Sequence, residues 1–100
     1  MNRPFYTDYV RHMMRFYSRT ATIKPDYKTE VDKANWLTCK SVISGYSDRD
    51  REMLLSVYSG FDTLSDEVYQ TAKKFSVNQS VIWDMMKDFE RKVAKHRGLI

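Results

Sequence analysis

Glycine and proline are scarce in this 100-residue chain, with three and two copies. So few breakers, and no sustained alternation of β-branched residues, count against a sheet and for an all-helical fold. Cys39 is the only cysteine. An intramolecular disulfide is therefore excluded, and the helical setting of Cys39 points to a buried thiol in a reducing compartment. The two histidines, His12 and His96, lie at opposite ends without ligand spacing, so no metal site is expected. No run approaches the roughly 18 apolar residues of a membrane span. The first residues lack the apolar stretch of an export signal. Together these lead us to expect a cytoplasmic protein without membrane contact. There is no Gly-rich phosphate loop, no Ser/His/Asp arrangement and no paired-carboxylate motif, so neither an enzyme nor a cofactor is expected.

What the chain does carry is uneven charge. The net charge is +4 and the pI is near 9.2. Residues 1–19 hold four Arg against one Asp, and residues 73–100 hold seven Lys or Arg against three acids. Between them, residues 47–72 hold two Arg against six acids. Positive charge gathered at the two ends is the electrostatic footprint of a nucleic-acid binder, although solvated helix faces are often basic as well.

Periodicity predicts about five helices in one domain: a first helix and connector over 1–27, then a helical body over 28–100. The first helix, Phe5 to Arg19, has an apolar stripe of Phe5, Tyr9, Met13, Phe16 and Tyr17, widened by Val10 and Met14. Arg11, Arg15 and Arg19 fall together on its other side, as a solvated face or a strip for phosphates or a partner. Thr20 to Tyr27 is a connector. Pro25 biases Lys24 away from helix, and Ile23 and Tyr27 are placed to tuck onto the core. The second helix, Lys28 to Tyr46, is expected to bury Val31, Ala34, Leu37 or Thr38, Val42 and Ile43, with Trp36 at the flank. The third opens at Ser47, with Asp50 in a near capping box, and buries Met53, Leu54, Val57 and Tyr58.

Thr63 to Met86 carries most of the functional signal. Ser65 reads as the N-cap of a helix over about 65–75 whose Val68, Ala72 and Phe75 share one face. Ala72 is small enough to let a second helix cross closely. Val77 is a lone apolar plug in the polar run Ser76 to Ser80, and Asn78 or Ser80 can cap the last helix, about 80–96. Val81, Ile82, Met85, Met86 and Phe89 mark the buried face of that helix. Asn78, Gln79, Ser80, Trp83, Asp84 and Lys87 point outward. This is the spacing of a helix-turn-helix, in which the second helix reads the major groove. Asn and Gln can bond base edges, and Lys73, Lys74, Arg91, Lys92 and Lys95 can hold phosphates. The same pattern fits an αα-hairpin packed in a helical bundle.

Ser47 to Leu99, about half the chain, resembles the C-terminal promoter-reading domain of bacterial sigma factors. More specifically, it resembles the small phage-encoded late-gene activators built on that domain. The likeness rests on a charged helix start, Met53-Leu54-Leu55, Tyr58 and the loop Gly60. It continues through Glu67-Val68, Ala72, Phe75-Ser76-Val77, Ser80 and Ile82 to a basic helix ending in Gly98-Leu99. Three positions depart: Thr71 stands where an apolar residue is usual, Ser76 where the turn has Gly, and Asp84 is an acid on the face that would meet DNA. The resemblance implies a transcriptional regulator of phage or mobile-element type. Double-stranded DNA would be its partner, with RNA polymerase and a second copy of the chain as further partners. Two rivals stand beside it: a module that grips RNA polymerase or a host regulator without DNA contact, and a small helical assembly protein.

Overall fold

Thr and Ser begin three of the helices by one device. Thr29, Ser47 and Thr63 have extended backbones, and the hydroxyl of each accepts the N–H of an Asp three residues on: Asp32 (3.1 Å), Asp50 (3.2 Å) and Asp66 (3.3 Å). Each Asp also sits where the helix dipole favours a negative charge. The computed structural model describes residues 3–23 and 26–100, so the Lys24–Pro25 step of the connector lies outside the described residues. Among the described residues there are five helices and no strand: α1 Thr7–Thr20, α2 Glu30–Ile43, α3 Asp48–Ser59, α4 Leu64–Phe75 and α5 Gln79–His96. The fourth helix is therefore capped by Thr63 rather than by the expected Ser65 and begins at Leu64, which packs against the core.

α1 packs against α2, α3 and α5, while α4 packs against α3 and α5. All five helices share one core. At its centre lie Val10 and Met14 of α1, Cys39 of α2, Leu54 and Tyr58 of α3, Val68 of α4, and Ile82, Met86 and Phe89 of α5. Tyr58 and Phe89 meet as a tilted ring pair, 6.1 Å between centroids, and Tyr46 packs on the other side of Phe89. The radius of gyration, 13.0 Å, is that of a close-packed chain of this length. No helix among the described residues is long and apolar enough to cross a membrane.

Three expected faces hold in part. Val10, Met13, Met14 and Tyr17 of α1 are buried as expected, but Tyr9, and Phe5 just before the helix, are exposed, and Tyr6 takes the inward place at its start. Tyr9 stays at the rim because its hydroxyl accepts a hydrogen bond from Asn35 Nδ2 (3.1 Å). On α2, Val31 and Leu37 are exposed, whereas Asn35, Trp36, Thr38, Cys39 and Ile43 are buried. Asn35 and Trp36 are accommodated on this inner face because both find a partner: the Trp36 indole N–H donates to Thr20 Oγ1 (2.8 Å), and Arg97 donates to Asn35 Oδ1 (2.8 Å). Trp36 is thus a core residue, with the Tyr17 ring tilted against it and the Tyr27 ring edge-on. Val81 of α5 is exposed as well, because Ile82 beside it takes the inward position. In the connector Tyr27 packs against the core and Ile23 does not.

Candidate nucleic-acid interface

α3 forms the floor on which α4 and α5 are set. Thr71, fully buried on α4, meets Ser56 of α3 hydroxyl to hydroxyl (3.2 Å), so its polar atom is satisfied within the core. Glu67, also buried, turns its carboxylate back to accept the Asp62 N–H (3.2 Å). It lies where a side chain at Gly60 would stand, so a larger residue there would displace the Glu67 carboxylate.

The turn between α4 and α5 is a Schellman motif. Ser76 adopts the left-handed conformation (φ 56°, ψ 45°). Its N–H donates to Lys73 O (3.3 Å), and the Val77 N–H donates to Ala72 O (3.0 Å). Arg49 of α3 donates to Phe75 O (2.7 Å), satisfying another end carbonyl. Ala72 is buried and Val77 is half-buried against the core, so the small crossing residue and the apolar plug both pack as their spacing predicts. α5 starts with Asn78 at the N-cap, but the Asn78 side chain makes no capping bond and remains exposed.

Asn78, Gln79, Ser80 and Lys87 are all exposed. Ser80, Asp84, Lys87, Arg91 and Lys95 recur at helical spacing, so they form one outward stripe along α5. Asp84 lies within that stripe. Trp83 is half-buried on the flank turned toward α1, where the Arg11 guanidinium stands 6.0 Å from the ring centroid. Lys92 is drawn off the stripe. Its ammonium bonds Asp88 (2.8 Å) and lies 4.9 Å from the Tyr46 ring. The Lys92 hydrogen bond, with a second from the Tyr46 hydroxyl (2.7 Å), holds the Asp88 carboxyl below its ordinary range. Lys73 and Lys74 diverge. Lys73 is exposed on the outer face of α4 one turn after Tyr69, whereas Lys74 lines a groove with Ser18, Glu52 and Ser59 on the α3 side.

The arginines of α1 are neither a free strip nor a simple solvated face. The Arg11 Nε–H donates to Glu90 Oε2 (2.9 Å), and the Tyr58 hydroxyl donates to the same oxygen (2.6 Å). Glu90 is only 3% exposed, so this buried carboxylate ties α1, α3 and α5 together. Burial first, and the Glu90 charge next, push the Tyr58 hydroxyl well above its ordinary pKa. Arg19 donates to Gly60 O (2.8 Å) and covers the Phe61 ring at 4.1 Å. Arg15 remains half-exposed in a groove with His12 and Asp32. Sequence reasoning counted Glu90 only as a charge. Its one signal was an acid on the inner face of α5, four residues before Ala94.

No family model matches the chain, and neither a curated protein nor a solved structure matches it.

Proposed function

We propose that the protein is a DNA-binding transcriptional regulator of phage or mobile-element type, related in plan to the promoter-reading domain of sigma factors. α5 enters the major groove by its first turn. Asn78, Gln79 and Ser80 read base edges or nearby phosphates, with Trp83 beside them. Lys87, Arg91 and Lys95 follow the backbone along the same face, and Lys73 holds it from α4. Lys74 and Lys92 lie to the sides of this face and contribute through the general field. The observation that carries the reading is the exposed polar start of α5, joined by a Schellman turn to α4 and continued by a cationic stripe. Asn and Gln at that place have the donors and acceptors that distinguish bases, and the cations supply affinity without sequence preference.

Selection of bound sequences from a random duplex pool, followed by titration at about 150 mM salt, tests it. Gln79→Ala is expected to relax preference at one position. Lys87→Ala is expected to weaken all duplexes alike and to lower the salt slope by about one unit. If both variants bind as the parent does, the docking is wrong.

Asp84 within the stripe, with Tyr69 and Val81 exposed on the same two helices, favours a second reading. In that reading the α4–α5 unit grips RNA polymerase or a host regulator and leaves DNA alone. Retention of polymerase from host lysate without a duplex shift would select it.

A further inference from the structure

A cleft of about 500 Å³ opens between the start of α1 and the outer side of α5. Arg3, Tyr6, Thr7 and Arg11 form one wall, and Lys87 and Arg91 form the other. We propose that this cleft is a phosphate site that takes a backbone phosphate of duplex DNA, so that Arg3 and the first turn of α1 clamp the strand beside α5. The proposal rests on the DNA-binding reading above and adds a second element of the fold to it.

The charge of the cleft supports an anion. Two carboxylates, Asp88 and Glu90, also line it, but both are already engaged. Glu90 accepts from Arg11 and from Tyr58, and Asp88 accepts from Lys92 and from Tyr46. Arg91 reaches Asp88 at only 3.6 Å, and among the described residues Lys87 has no carboxylate within ion-pair distance. Arg3 pairs with Asp8 at 3.1 Å, with both side chains more than half exposed. Such a surface pair contributes little, so a phosphate, which accepts a guanidinium through two oxygens, can replace Asp8 at small cost. The first turn of α1 adds the positive end of a helix dipole at the cleft wall, although the Thr7 N–H itself donates to Pro4 O (3.2 Å). Location is the last argument: Lys87 and Arg91 belong both to the cleft wall and to the outward stripe of α5, so the site opens toward the face assigned to the duplex.

The test uses the full chain with a selected duplex, and inorganic pyrophosphate as a separate small anion. Arg3→Ala is expected to lower the slope of log affinity against log salt by about 0.9, the loss of one phosphate contact. Asp8→Asn, which frees Arg3, is expected to tighten binding without lowering the slope. Arg3 is exposed, so circular dichroism should show both variants folded like the parent. A parent that binds duplex, with Arg3→Ala keeping its slope and affinity, overturns the clamp and leaves the regulator reading intact. A parent that binds no duplex, while pyrophosphate shifts the amide resonances of Thr7, Lys87 and Arg91, overturns the duplex as the source of phosphate and the regulator reading with it. Such a result would make the cleft a site for a free phosphorylated ligand. Absence of both effects overturns the site itself.

Discussion

The two ends of α5 are built on opposite terms. The later half, from Phe89 to Ala94, is buried on one side in the core, with Glu90 bonded across to α1 and α3. The first turn, Asn78 to Ser80, is exposed, and its cap residue donates and accepts nothing through its side chain. One end spends its polar groups inside the molecule, and the other keeps them for something outside it. That division separates stability from recognition along a single helix. Substitutions at the two ends should therefore differ in kind as well as in size.

The largest expected effect is at the anchored end. Glu90→Ala leaves Arg11 and the Tyr58 hydroxyl unpartnered in a buried place and is expected to cost about 3–5 kcal/mol, read from urea unfolding. A loss below about 1 kcal/mol would show that the anchored end is no more demanding than the tip. Alkali offers a reversible version of the same attack. Burial pushes the Cys39 thiol up to about 12 from an ordinary value of 9.0, and Tyr58 is raised as well. Above pH 9 for the thiol, and above pH 10 for the phenol, the unfolded chain releases protons that the folded chain keeps, so stability is full below pH 9 and falls as pH rises toward 12. The decline is about 1.4 kcal/mol per pH unit for each such group. Amide exchange should quicken first around Cys39 and Tyr58 under these conditions, while the first turn of α5, which has no group titrating there, changes little. The smallest effect is at the tip. Asn78→Ala is expected to stay within about 0.5 kcal/mol of the parent because no capping bond is lost, whereas Thr63→Ala, which removes a real cap, should cost about 1 kcal/mol. Equal losses at the two positions, measured side by side, would mean that Asn78 caps α5 in solution.

The contrast also explains which parts of the molecule could be read from the residues. On α3 and α4 apolar and polar residues are segregated, so Met53, Leu54, Val57, Tyr58, Val68 and Ala72 were assigned to the core on period alone. The plug at Val77 follows from local spacing in the same way, whereas Ser76, which stands where the resembled turn has glycine, takes the left-handed conformation itself. α1 and α2 resisted for two reasons. Apolar residues are spread around α2, so more than one of its faces looks apolar, and the structure leaves Val31 and Leu37 outside. The polar groups that define the true inner faces find partners far along the chain: Arg11 and Glu90 are 79 positions apart, and Asn35 and Arg97 are 62 apart. Periodicity within one helix carries no trace of such pairs. The candidate interface shows the same limit. Exposure of Asn78, Gln79 and Ser80 is a local property and was legible. The separation of Lys73 from Lys74, and the approach of Arg3 to Lys87 and Arg91, arise from packing between helices.

The carboxylate of Glu90 also bears on modularity. The familiar-looking stretch begins only at Ser47, yet the acid in its last helix is paired with Arg11 of α1, outside that stretch. Cut free of α1, that stretch would keep the Tyr58 hydroxyl bond to Glu90 but lose its cationic partner, and the faces of α3 and α5 that pack on α1 would be uncovered. The opening helix is therefore a structural subunit of the unit that follows it, and a graft of residues 47–100 onto another scaffold should bring Arg11 with it to behave as a folded piece.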